Sequence, residues 1–156
     1  MTDKKIPTLY EWAGGLPALE HLSAVFYNRV AQDHLLAPLF AHMDPSHPRI
    51  VAHFIAEVFG GPALYSPERG GHNAMIMKHL EKHLTEAQRA RWMGLLLECA
   101  DEVGLPSDPE FRSAFVAYIE WGTRLAVVNS QTNEPPARSA PMPKWGWGET
   151  GGPYQA

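Results

Sequence analysis

The chain lacks most of the features by which a protein is placed on sight. It has a single cysteine, Cys99, which rules out an internal disulfide framework and fits a reducing compartment. No apolar run is long enough to cross a bilayer. Met1 to Leu9 is polar and basic and has no apolar stretch of the secretory kind, so the expectation is a cytoplasmic protein. Positive charge is not in excess: the formal net charge is −4, which offers no electrostatic footprint for nucleic acid or an anionic membrane. No convincing strand pattern appears, and without strands there is no glycine-rich phosphate loop opening from one. Serine and cysteine nucleophile elbows, internal repeats, and flavin or nicotinamide modules are also missing.

What is present is an apolar fraction of 45% over 156 residues, enough for the core of one ordinary domain. The spacing predicts four substantial helices. Leu19, Leu22, Phe26 and Val30 form one stripe of a helix over Leu16–Ala31. A second helix is expected to start near Asp44-Pro45 and to end at Gly60-Gly61-Pro62, with Ile50, Val51, Phe54, Ile55, Val58 and Phe59 on a wide apolar face. Thr85-Glu86-Ala87-Gln88 is a capping box that opens a third, stopped by Gly104. Asp108-Pro109 caps the fourth, whose stripe runs from Phe111 to Val128. Between Gly60 and Leu84 the pattern is weak, with one short helical piece over Ala74–Leu80; a long connection of that sort in a small domain is usually functional. The organisation is a helical domain over residues 1–131 and an irregular Pro/Gly-rich extension over 132–156, whose Trp145, Trp147 and Tyr154 can dock on the body.

Eight histidines are the unusual feature. His79 shares a helical face with Met75 and Ile76, so it is either a capped surface histidine or a ring nitrogen offered to iron beside a flat apolar ligand. His79 and His83 stand four apart, a chelating spacing, but Leu80-Glu81-Lys82 lacks the glutamate of a zinc-protease helix, and Leu84-Thr85 begins a new cap. Tyr27, His47 and Trp92 each put a polar tip beside an apolar stripe on a different helix. Each either meets a backbone carbonyl or converges with the others on a small ligand. Cys99, inside a helix, reads as packing.

Taken in order, these pieces resemble the truncated haemoglobins of group II, from about Thr8 to Gln131. The signposts are Phe26-Tyr27, Gly60-Gly61-Pro62 with Tyr65-Ser66, Gly70-Gly71-His72 followed by Met75 and Lys78-His79, then Arg91-Trp92, Tyr118, Glu120-Trp121 and Asn129-Ser130. Pro143 to Gly148 is similar to an extension of some bacterial members. The resemblance implies an all-α, two-on-two helical sandwich around haem b. In it His79 matches the proximal iron ligand, Tyr27 and Trp92 the distal donors, and His47 the distal-helix residue that faces the ligand. Phe40 falls where some relatives carry a tyrosine, so one possible donor is missing here. The haem contacts implied or proposed with it are Phe40, Val51, Phe54, Tyr65, Met75 and Ile76, with Leu80 and Leu96 at the margin. Lys78, His72 and Arg69 are expected toward the haem propionates. The implied function is reversible binding of O2, with NO and CO as further ligands. The alternative is a redox enzyme acting on NO or peroxide with a separate reductase. A homodimer is a further implied partnership. The histidine count by itself also leaves a non-haem metal protein open.

Overall fold

A computed structural model describes residues 5–135 and 141–153; the side chains of Glu68 and Arg69, and Tyr154, lie outside the described residues. Among the described residues seven α-helices follow in order: α1 (Leu9–Ala13), α2 (Gly15–Val30), α3 (His47–Val58), α4 (Ser66–Arg69), α5 (Gly71–Met77), α6 (Glu86–Glu102) and α7 (Pro109–Asn129). Two 3-10 turns cover Ala37–Phe40 and Gly148–Thr150. Among the described residues there is no strand, as the sequence led us to expect. The four long helices α2, α3, α6 and α7 carry the fold: α2 packs on α3, α6 packs on α7, and α2 also rests on α6.

Local chemistry explains most of the helix ends. Thr85 accepts from the Gln88 amide at 3.1 Å while the Gln88 side chain accepts from the Thr85 amide at 2.9 Å, so the expected capping box opens α6. Removing it with Thr85→Ala is expected to cost about 1 kcal/mol of stability in urea titration; an unchanged midpoint would show that the cap contributes nothing. Asp108 caps α7 through the Phe111 amide at 3.0 Å, and its other oxygen accepts from the Trp12 indole at 2.9 Å, tying α7 to α1. α1 has a capping box of its own, Thr8 with Glu11, a signal present in the sequence but not among the helices expected from it. A sharp turn ends α3, and Gly61 is required there: a Cβ would lie 2.6 Å from the Tyr10 ring and 2.8 Å from the Ala56 carbonyl.

Two boundaries differ from expectation. The second long helix starts at His47, not near Asp44. The Asp44 carboxylate accepts from the Ser46 amide (2.8 Å) and hydroxyl (2.6 Å), closing a turn of its own, and Pro48 takes the first turn of α3 instead of Pro45. The short helix begins earlier and stops earlier, at Gly71–Met77 rather than Ala74–Leu80, because Gly70 in the left-handed region restarts the chain as a helix. His79 therefore sits in the turn after α5. Beyond it Glu81 and His83 take φ of 60° and 48°, so His79 and His83 share no helix and the chelating pair does not form. Among the described residues no group of three metal-binding side chains exists.

The core joins Leu19, Leu22, Phe26 and Val30 of α2 to Ala52, Ile55 and Val58 of α3, Leu95, Leu96 and Cys99 of α6, and Phe111 and Phe115 of α7. Cys99 is fully enclosed, and burial pushes its thiol up, so it is an inert packing residue. Two buried charges are paired. Glu57 accepts from the Ser66 amide at 3.0 Å and from the Ser66 hydroxyl, pinning α4 to the end of α3. Arg89 bridges Glu86 and Glu120, clamping α6 to α7. Trp145 and Trp147 of the C-terminal segment dock on the body: the Trp145 amide donates to Val58 (2.9 Å) and the Trp147 indole donates to Pro7 (2.8 Å). Among the described residues no helix is long and apolar enough to cross a membrane.

Candidate functional site

The site is built on two faces, one on α2 and α3 and the other at the end of α5. On the first, the start of α3 is fixed against α2 by the Ser23 hydroxyl, which donates to the Pro48 carbonyl at 2.6 Å. That places His47 beside Tyr27: His47 Nε2 lies 3.2 Å from Tyr27 Oη, and their rings meet edge-on at 4.9 Å. Phe40, from the 3-10 turn, closes the group, 5.6 Å from the Tyr27 ring and 6.0 Å from that of His47. Trp92 of α6 lies edge-on to Phe26 at 5.0 Å, and Phe26 in turn contacts Tyr27 at 4.9 Å. The neighbouring Arg91 holds Asp33 at 2.6 Å, and Asp33 accepts from the Leu35 and Leu36 amides, which secures the corner between α2 and the 3-10 turn.

The second face is carried by His79. Its Nδ1 lies 2.9 Å from the Met75 carbonyl, one turn back. A carbonyl oxygen only accepts, so Nδ1 carries the proton and Nε2 keeps its lone pair. Burial holds the ring below the ordinary imidazole range, against the pull of the Met75 bond, and Lys78 and Lys82 add to the lowering. The ring is therefore neutral near pH 7. His47 is lowered as well, first by burial, then by the charges of Lys78 and His79. Burial also raises the Tyr27 hydroxyl far above its ordinary range, so it keeps its proton.

Apolar residues link the two faces. His47, Val51 and Phe54 are spaced along one side of α3, Val51 half-buried and Phe54 buried. Phe54 meets Tyr65 edge-on at 4.9 Å, and Tyr65 is completely enclosed. Ile76 is buried and Met75 half-buried on α5, while Lys78, next to His79, is exposed. Leu96 belongs to the core and Leu80 is half-buried. The His72 ring meets those of Phe54 and Trp121 at 6.5 and 6.1 Å. The side chain of Arg69 lies outside the described residues. The sequence reading missed the roles of Ser23, buried within α2, and Asp33, in the turn after it, because a single hydroxyl or carboxylate carries no periodic signal.

The donor set suits a haem. There is one neutral imidazole with its proton engaged and a free ring nitrogen, two paired polar tips from another layer, apolar walls from α3 and α5, and an ammonium next to His79.

An all-helical sandwich with a histidine at each side of an apolar interior has the architecture of the globin class. The chain belongs to the bacterial-like globin family, whose model matches residues 8–120. It is similar to the group 2 truncated hemoglobin YjbI of Bacillus subtilis, 29% identical over 120 residues, which cover 77% of this chain and 89% of that one. Among solved structures, the group II truncated hemoglobin of Bacillus anthracis superposes with a TM-score of 0.72 at 25% identity, over 80% of this chain and 93% of that one. The truncated oxygen-avid haemoglobin of Bacillus subtilis does so with a TM-score of 0.69 at 30% identity, over 78% and 99%. The resemblance to group II truncated haemoglobins and the all-α fold read from the sequence are thereby borne out.

Proposed function

We propose that this protein binds haem b through His79 and uses it to bind O2 reversibly, with NO and CO as further ligands. The observation that carries the reading is the His79 ring, whose Nδ1 proton is spent on the Met75 carbonyl at 2.9 Å. That bond orients the ring and leaves Nε2 as a donor of fixed direction, the usual arrangement of a metal-bound imidazole. When bound, haem supplies an iron with one coordination position open to a diatomic ligand. The rest is the work of the chain.

Tyr27 stays protonated and so remains a donor. In the His47 tautomer that carries its proton on Nε2, the ring donates to the Tyr27 oxygen at 3.2 Å, and the Tyr27 hydroxyl is left to point at the ligand. A donor so placed favours bound O2, which carries partial negative charge, over neutral CO. Trp92, packed on Phe26, is the third donor in this reading, and Val51, Phe54, Met75 and Ile76 exclude water. Lys78 and Arg69 serve the propionates. The name of the Bacillus subtilis relative, an oxygen-avid haemoglobin, supports the same reading. The globin domain is taken as residues 1–131, with 132–156 as its extension, and the single cysteine fits a cytoplasmic setting. A redox role on NO or peroxide would need a separate reductase, and a homodimer is a further proposal.

The test is the absorption spectrum of the purified chain after addition of haem b, ferric, ferrous and under CO and O2. A Soret band that shifts with each gas is expected. Absence of the band after reconstitution would overturn the reading in favour of a non-haem protein.

A further inference from the structure

Most ring pairs in the core meet edge to face, as Phe26 does with Trp92, Phe54 with Tyr65 and Phe59 with Tyr118. The rings around Trp121 of α7 are set differently. Trp121 is inclined by only 32°, 35° and 38° to His72, Tyr118 and Trp145, with centroids 6.1, 6.3 and 5.6 Å away. Rings so gently inclined to one another form a shelf with Trp121 at its centre. A flat molecule held between two rings needs them parallel and about 7 Å apart, twice a van der Waals contact. Trp121 and Trp145 are closer than that, so they offer a surface to lie on and not a slot. His72 and Tyr118 are buried, whereas Trp121 is 40% exposed, so the shelf rests on the body and is open at its centre.

Trp121, Trp145 and His72 line a cleft of about 560 Å³, completed by Pro141, Met142, Pro143 and Lys144. That volume falls within the roughly 300–1,000 Å³ of small-molecule sites. Its outer wall is fixed to the body without a ligand. The Trp145 amide donates to the Val58 carbonyl at 2.9 Å, and the Trp147 indole donates to the Pro7 carbonyl at 2.8 Å and meets Trp12 edge-on at 6.1 Å.

The charge around the shelf has one sign. The chain carries a net −4, yet no carboxylate is among the residues that line the cleft. Its cation is Lys144, which is exposed and makes no ion pair among the described residues. Arg29, Arg89, Arg91, Arg112 and Arg124, by contrast, each hold a carboxylate. An aromatic shelf with a free ammonium at its rim is complementary to a flat ring that bears negative charge.

We propose that this cleft is a binding site for a flat aromatic carboxylate of one or two fused rings, its ring lying on Trp121 and its carboxylate held by Lys144. Only His72 is common to the cleft and to the haem contacts expected from the sequence, so the site does not rest on the haem reading.

The test is isothermal titration of the full chain, with and without haem, using 2-naphthoate and its neutral counterpart 2-naphthamide. One naphthoate is expected to bind per chain with a Kd of about 0.1 mM, and naphthamide about fivefold more weakly, the worth of one exposed ion pair. Lys144→Gln should bring naphthoate to the level of naphthamide and leave naphthamide where it was. Trp121→Leu should weaken both about tenfold through loss of ring stacking. Raising the salt concentration about tenfold should weaken naphthoate alone. Lys144→Gln changes an exposed side chain, so it decides the case even where Trp121→Leu proves unstable by far-ultraviolet dichroism. Absence of binding, or naphthoate affinity unchanged in Lys144→Gln and Trp121→Leu, would overturn the site. Equal affinity for the two probes would overturn the choice of an anion. Naphthoate that binds the haem-free chain and is expelled by haem lies in the interior, which also overturns the site. If the protein takes up no haem, the proposed function fails while the two variants still decide the cleft.

Discussion

Replacing His79 with glycine is expected to abolish the histidine-ligated haem spectrum and to lower haem affinity by more than a hundredfold. The scale follows from the known effect of groups that only support a metal ligand, whose loss costs roughly 10–100-fold, so loss of the ligand itself costs more. His79 lies in the turn after α5, bonded within its own segment: its ring and amide to the Met75 and Ile76 carbonyls, and its carbonyl to the Lys82 amide at 3.2 Å. Removing its ring therefore opens a space without breaking a contact between long helices, and the far-ultraviolet dichroism should stay that of a helical protein. Free imidazole should enter that space and restore the band. A glycine variant that still shows the native spectrum without imidazole would place the ligand elsewhere, with His47 the first candidate because it shares the same interior.

Tyr27→Phe is expected to raise the O2 dissociation rate about tenfold or more, the loss of one hydrogen bond worth ~1–2 kcal/mol, while CO release changes little. The hydroxyl is the one group removed, and the edge contacts of the ring with Phe26, Phe40 and His47 remain. His47→Leu should give a smaller increase, because it acts by taking away the bond at 3.2 Å that orients the Tyr27 hydroxyl. The double variant should then release O2 scarcely faster than Tyr27→Phe alone, since the two residues work as one unit. Flash photolysis or stopped-flow displacement measures all four. Equal O2 release in the wild type and Tyr27→Phe would remove Tyr27 from the distal role. Fully additive effects would mean that His47 reaches the ligand independently.

Some boundaries were out of reach of the sequence for identifiable reasons. Pro45 and Pro48 both suit a first helical turn, and the choice fell to Asp44, whose side chain closes a turn on Ser46 and pushes the start of α3 to His47. Periodicity extended the short helix to Leu80 because Ile76 and Leu80 keep helical spacing. The bonds of residues 81–84 to Ser130 and Thr132, distant in sequence, pull the chain out of that helix.

The sequence by itself determined the all-helical class, the four long helices and the identity of the residues with polar tips. Those follow from spacing, caps and glycine punctuation, all local in the chain. The tertiary structure alone decided that His47 bonds Tyr27, that Trp92 meets Phe26, and that residues 81–84 are bonded to Ser130 and Thr132. These relations join residues at least 20 positions apart, and a spacing rule that reaches one or two helical turns carries no information about them.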